Sequence, residues 1–147
     1  MQFILKNSRF LGFGFFVAFL SSFGQTYFIG VFRPAIVEAY TLSNSEFGFY
    51  YLIITLGSAL GLNQLGHIVD RTELPRYVAL LIILMAGACA FMFFAGHFWL
   101  LVLALLCVRL LGQGLLTHAA MTSMSRYFDK KRGLAVAVAG LGFPIGQ

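Results

Sequence analysis

The stretch YVALLIILMAGACAFMFFAGHFWLLVLALLCV, residues 77–108, runs 32 residues without an Asp, Glu, Lys or Arg. A helix rises about 1.5 Å per residue, so roughly 20 residues cross the hydrocarbon core of a bilayer. Tyr77 to Val108 is therefore long enough for two spans that turn back on each other at Gly96-His97. Two further charge-free stretches precede it, Phe10 to Phe32 and Phe47 to Val69. The pattern predicts an all-α, polytopic transmembrane bundle with helices over about 10–32, 47–69, 77–95 and 98–120. The last stretch, residues 133–147, is apolar and glycine-rich, and it reads as part of a fifth helix that the chain's end cuts short.

Composition points the same way. The chain is 60% hydrophobic and 10% charged, and it holds 17 Phe. A water-soluble domain of 147 residues has too little interior for that much apolar surface. The net charge of +5 sits at the edges of the apolar stretches, so it reads as a topology signal and excludes a nucleic-acid partner. Cys89 and Cys107 lie inside apolar stretches, as small core residues do.

Lys6, Arg9, Arg71, Arg76, Arg126, Lys130, Lys131 and Arg132 all fall on one side of the predicted spans, and Arg33 alone on the other. Positively charged loops stay inside, so the N-terminus and residues 70–76 and 121–132 are expected in the cytoplasm. The expected location is a plasma membrane, or the inner membrane of a bacterium. Trp99, Tyr50 and Tyr51 would then lie at the outer interface. A cleaved signal peptide is the rival reading of the N-terminus, with Ser22-Phe23-Gly24 as a cleavage site. The apolar run continues to Phe32, longer than such a leader needs.

Local signals mark the element ends. Pro34 cannot continue a helical hydrogen-bond ladder and predicts an end to the first span. Ser43-Asn44-Ser45-Glu46 is a capping box that opens the second. Gly57 and Gly61 stand one turn apart, a surface for close helix packing.

Three places carry chemistry. The hairpin from Gly66 to Arg76 puts Asp70 beside Arg71, an acid and a base able to tie helix ends together; a short loop collecting ordinary charges is the plainer reading. Arg109 lies about 12 residues past Gly96-His97 and about 17 before Arg126, too deep for its side chain to snorkel to either surface. An arginine at that depth costs at least about 2.5–3.5 kcal/mol unless it faces a partner or a wet cavity. Gln113 and Thr117 follow on the same face. Across the bundle stand Ser21, Gln25 and Thr26 on the first span, and Asn63 and Gln64 on the second. A scaffold arginine held by helix-end carbonyls is the alternative. His118 falls about half a turn from Arg109, on another face. The third place is Arg126 to Ala135, a basic loop feeding a helix rich in small residues with Pro144 inside it.

These segments resemble the major facilitator superfamily of secondary transporters. Its loop between helices 2 and 3 reads G-x-x-x-D-R-x-G-R-R, and Gly66, Asp70 and Arg71 match, with Glu73 and Leu74-Pro75 departing. Arg109-Leu110-Leu111-Gly112-Gln113-Gly114 resembles the arginine and glycine-rich turn of its helix 4. Gly142-Phe143-Pro144-Ile145-Gly146 resembles the kink of its helix 5. Tyr127, Phe128, Lys130, Lys131, Arg132, Leu134 and Ala135 resemble the entry to helix 5 in the monocarboxylate-porter branch. The resemblance implies roughly the first third of a twelve-helix transporter, working by alternating access as a monomer at full length. It implies a small solute, an organic anion such as a monocarboxylate, moved with protons. Arg109, Gln113, Thr117, Gln25 and Asn63 would bind or couple; Gly66, Asp70 and Arg71 would gate. A half-size accessory protein, or a transporter of a non-anionic solute, is the alternative. No catalytic group, metal cluster or cofactor is expected, since Arg109 and His118 lie on different faces and make no enzyme site.

Overall fold

The computed structural model describes residues 2–147, and the described chain is helical with no strand. After a short helix at Gln2–Lys6 come four elements long and apolar enough to cross a membrane. They are α1 (Ser8–Ala39), α2 (Asn44–Asp70), α3 (Leu74–Phe93) and α4 (Phe98–Tyr127). A fifth, α5 (Arg132–Gly140), is followed by a short turn of helix at Gly142–Ile145. Side chains such as Ile83, Leu80, Leu60 and Phe49 point outward and exposed. In water that would be costly, whereas in lipid it is the expected surface. The chain is a multi-pass membrane protein.

Two element ends differ from the sequence expectation. α1 does not stop before Pro34 but carries it inside the segment Thr26–Ala39. A proline removes one bond from the ladder, here the one to the Gly30 carbonyl, and membrane helices tolerate that loss. α4 continues to Tyr127 instead of ending near residue 120, because no glycine or proline interrupts Thr117 to Arg126.

α1 is broken in the middle. It is α-helical to Leu20, tightens to a 3-10 turn over Ser21–Gly24, and is extended at Gln25 (φ −76, ψ 153) before resuming at Thr26. The Ser21 hydroxyl donates to the Ala18 carbonyl at 2.7 Å, a local bond that competes with the helical ladder. Gly24 then lies directly on the backbone of α4. α4 answers with an irregularity of its own, a π-helical stretch over Leu110–Leu116.

α2 opens on the predicted capping box: the Ser43 hydroxyl accepts from the Glu46 N–H, and the Glu46 carboxylate accepts from the Ser43 N–H at 2.7 Å. Its Gly57 and Gly61 face Leu106 and Leu110 of α4. α3 starts with Pro75 in its first turn, where the missing N–H is unneeded.

α4 is the central element, half buried along its span, against a third or less for the other three. At its middle, Val17, Leu81, Met85, Val108, Leu116 and Ala120 form the main core. At one end Leu11, Met124, Phe128, Ala135 and Ala139 join α1, α4 and α5. At the other, Ile29, Ile54, Leu101 and Leu105 join α1, α2 and α4. The first of these ends collects the basic segments. Phe10 stacks on Tyr127 at 4.1 Å, Phe3 meets Phe128 edge-on at 5.1 Å, and Lys131 lies over Phe3. It is called the basic end below, and its opposite the far end.

Candidate functional site: a buried arginine between a broken helix and a π segment

Arg109 sits in mid-bundle and is 6% exposed. Its guanidinium donates to the Thr26 hydroxyl at 3.1 Å and to the Tyr51 hydroxyl, and its carbon lies 4.8 Å from the centre of the Tyr51 ring. Both partners exist there for backbone reasons. The break at Gln25 turns Thr26 toward α4, and Tyr51 lies on the buried stripe of α2 with Ile54, Ser58 and Gly61. Arg109 forms no ion pair among the described residues. Nor is any carbonyl of a neighbouring helix bonded to its guanidinium among them.

The surrounding polar groups form a short chain across the α1–α4 crossing. Gln25 Nε2 donates to the Thr117 hydroxyl at 3.2 Å, and the Thr26 hydroxyl meets Gln113 Oε1 at 3.4 Å. Thr117 in turn donates to the Gly112 carbonyl five residues back, a bond that suits the π winding. The structure thus brings Arg109, Gln113, Thr117, Gln25 and Thr26 together.

Asn63 is not with them. It is exposed and lines a separate cavity of about 550 Å3 at the basic end, with His67, Asp70, His118, Thr122 and Arg126. One helical stripe cannot carry both: Tyr51, Ile54 and Ser58 face α4, which leaves Asn63 on a different side of α2. His118 Nε2 lies against Gly66, where a methyl group would come within 3.8 Å of it. Ser21 is spent on its own helix.

At the basic end Asp70 pairs with Arg126, 2.5 Å from Nη1, tying the end of α2 to the end of α4. Arg71 is exposed and forms no ion pair among the described residues. The acid beside Arg71 therefore bonds across the bundle and not to its neighbour. Arg132 pairs with Asp129 at 2.5 Å and Arg76 with Glu73 at 3.1 Å, each within one turn. Lys130 and Pro144 are exposed. The Tyr27 hydroxyl donates to the Phe143 carbonyl at 3.2 Å, which binds the turn around Pro144 to the second half of α1.

Two residues went unread in the sequence. Tyr51 was expected at the membrane interface with Tyr50 and Trp99. Tyr50 and Trp99 do lie together at the far end, 6.0 Å apart, but Tyr51 turns inward. Its spacing of three, seven and ten residues from Ile54, Ser58 and Gly61 was the available signal. Arg126, read as a topology charge and as the head of the basic loop, gives no sign of its pairing with Asp70, because that partner lies 56 residues away.

Among the described residues no three His, Cys, Asp or Glu side chains converge as a metal site. What the centre holds is a buried guanidinium with hydroxyl and amide neighbours. A charged group in the core of a polytopic bundle is costly unless it has such partners. The family described as Major Facilitator Superfamily matches residues 14–147, and the chain belongs to that superfamily of membrane transporters. No curated protein and no solved structure matches the chain significantly.

Proposed function

We propose that the protein is a secondary transporter of a small organic anion, with Arg109 as the group that binds the carboxylate. The observation that carries this reading is the buried guanidinium bonded to two hydroxyls and to no carboxylate among the described residues. A carboxylate can meet a guanidinium with two parallel hydrogen bonds, replacing neutral hydroxyl partners with stronger charged ones. Gln25, Gln113 and Thr117 lie close enough to complete the site. The monocarboxylate-like entry to α5 supports a monocarboxylate moved with protons, by a monomer at full length.

In this reading the basic end faces the cytoplasm of a plasma membrane, since eight of the ten Lys and Arg gather there. The Asp70–Arg126 pair closes that end while the solute site opens to the far side, with Gly66 packed beside His118 and Arg71 held for a partner in another conformation. Alternating access then amounts to making and breaking this tie.

Uptake of labelled monocarboxylates by the intact transporter carrying Arg109→Lys or Arg109→Gln tests the reading. A lysine keeps the charge and loses the planar fork, so both variants are expected to lose at least about tenfold in uptake. Transport by Arg109→Lys equal to the parent, or movement of neutral or cationic solutes alone, would make Arg109 scaffolding.

A further inference from the structure

A cavity of about 380 Å3 opens between the second half of α1 and the start of α2. The two walls run antiparallel, so Thr26 and Tyr51 share its inner end and Arg33 and Asn44 its outer end. Thr26 and Tyr51 are the two hydroxyls that hold Arg109. From Thr26 to Arg33, and from Asn44 to Tyr51, is seven residues, or about 10 Å of helix. One cavity therefore has a guanidinium behind its floor and another at its mouth. Between them the cavity is open beside Gly30 and Gly48, where a methyl group on either would meet nothing within 4 Å.

Arg33 is placed, not trailing. It donates to Asn44 Oδ1 at 2.8 Å, and its guanidinium carbon lies 5.9 Å from the centre of the Phe47 ring. A guanidinium has five N–H donors, and the Asn44 bond uses one. No acid neutralises it: Arg33 forms no ion pair among the described residues, and nearby Glu46 is engaged by Ser43 in the capping box. It is also the one cation at the far end, on the side that membrane proteins normally keep poor in Lys and Arg.

We propose that Arg33 is a second carboxylate subsite, which captures a small organic acid at the mouth of this cavity and passes it about 10 Å inward to Arg109. The proposal rests on the anion-transport reading of Arg109 and extends it to a residue with no place in that reading. Capture needs charge more than a fork, because a partly hydrated carboxylate is drawn in by a field before it is gripped.

The experiment is carboxylate uptake by the intact transporter in vesicles with the far end outward, for the parent, Arg33→Gln and Arg33→Lys, normalised to the amount in the membrane. Arg33→Gln is expected to raise KM about tenfold with Vmax unchanged, as losing one charge-assisted contact does. Arg33→Lys is expected to stay within about threefold of the parent. Raising ionic strength is expected to raise KM in the parent and to leave Arg33→Gln nearly unmoved. Should Arg33→Gln fail to reach the membrane, Gly48→Leu fills the same cavity from the opposite wall, and the same rise in KM is expected. An unchanged KM in Arg33→Gln or in Gly48→Leu, or a fall in Vmax alone, overturns the capture subsite. Loss of uptake in Arg109→Gln with an unchanged KM in Arg33→Gln refutes capture and leaves the anion reading intact. Transport of neutral or cationic solutes alone removes both.

Discussion

Replacing Gly24 with alanine isolates the contact on which the whole site is hung. A methyl group there would come up against the Val108 carbonyl oxygen, 2.7 Å from Gly112 Cα and 2.9 Å from Gln113 N. All three are backbone atoms of α4, so no flexible side chain can swing away. Ordinary carbon contacts need about 3.5 Å or more, and α1 and α4 would have to part by about 1 Å at their crossing. Overpacking of this kind costs about 1–3 kcal/mol, and a rigid backbone on both sides puts the change at the upper end. The same 1 Å would stretch the Gln25–Thr117 and Thr26–Gln113 contacts, now 3.2 and 3.4 Å, beyond hydrogen-bond range. Gly24→Ala is therefore predicted to lower the midpoint of thermal unfolding in detergent by several degrees and to depress uptake further than that instability explains. Gly12→Ala is the control, on the same helix, with nothing within 4 Å of the new methyl. In a helix that exchange stabilises by about 0.5–1 kcal/mol. If Gly24→Ala melts and transports like Gly12→Ala, the close crossing does not set the site, and the reasoning fails.

Two further outcomes follow from the geometry. Asp70 and Arg126 form an exposed pair that solvent screens, so it adds little to stability; Asp70→Asn should leave thermal unfolding nearly unchanged yet cut transport severalfold, and normal transport would reduce the pair to surface decoration. Single cysteines at Asn44 and at Arg76, at the far and basic ends, should react with a membrane-impermeant thiol reagent from opposite faces of intact cells, and labelling of both from one face would overturn the proposed orientation.

How much of this was legible in the sequence depends on the range of the interaction. The spans were legible because lipid imposes a length and a charge rule on every one of them, as Tyr77 to Val108 shows. So was the cap at Ser43, whose partner is three residues away. Arg109 stood out because burying a charge is costly wherever it occurs. Its neighbours were harder. Thr26 reaches it only because the backbone is extended at Gln25, and extended backbone in mid-membrane leaves no hydropathy signature. Asn63 misled because the α2 stripe of Tyr51, Ile54 and Ser58 faces α4 and leaves Asn63 on another side, over the cavity at the basic end. Pro34 shows a local rule giving way to its surroundings, since a membrane helix continues past a single missing bond.

The break in α1 and the π stretch in α4 have one cause. Inside a bilayer every backbone polar group that leaves the helical ladder must find another partner, so an isolated irregularity in either helix would be expensive. Set opposite each other they cost less. Gly24 and Gly112 let the two backbones touch, and in that contact Thr117 takes the Gly112 carbonyl while Gln25 takes Thr117. On the far side of the crossing Thr26 and Tyr51 hold the Arg109 guanidinium with neutral hydroxyls. A straight α1 on a regular α4 would carry the same residues and present no such group. The same loosened winding also gives α4 a point at which to bend, which is what the proposed coupling between Arg109 and the Asp70–Arg126 tie requires.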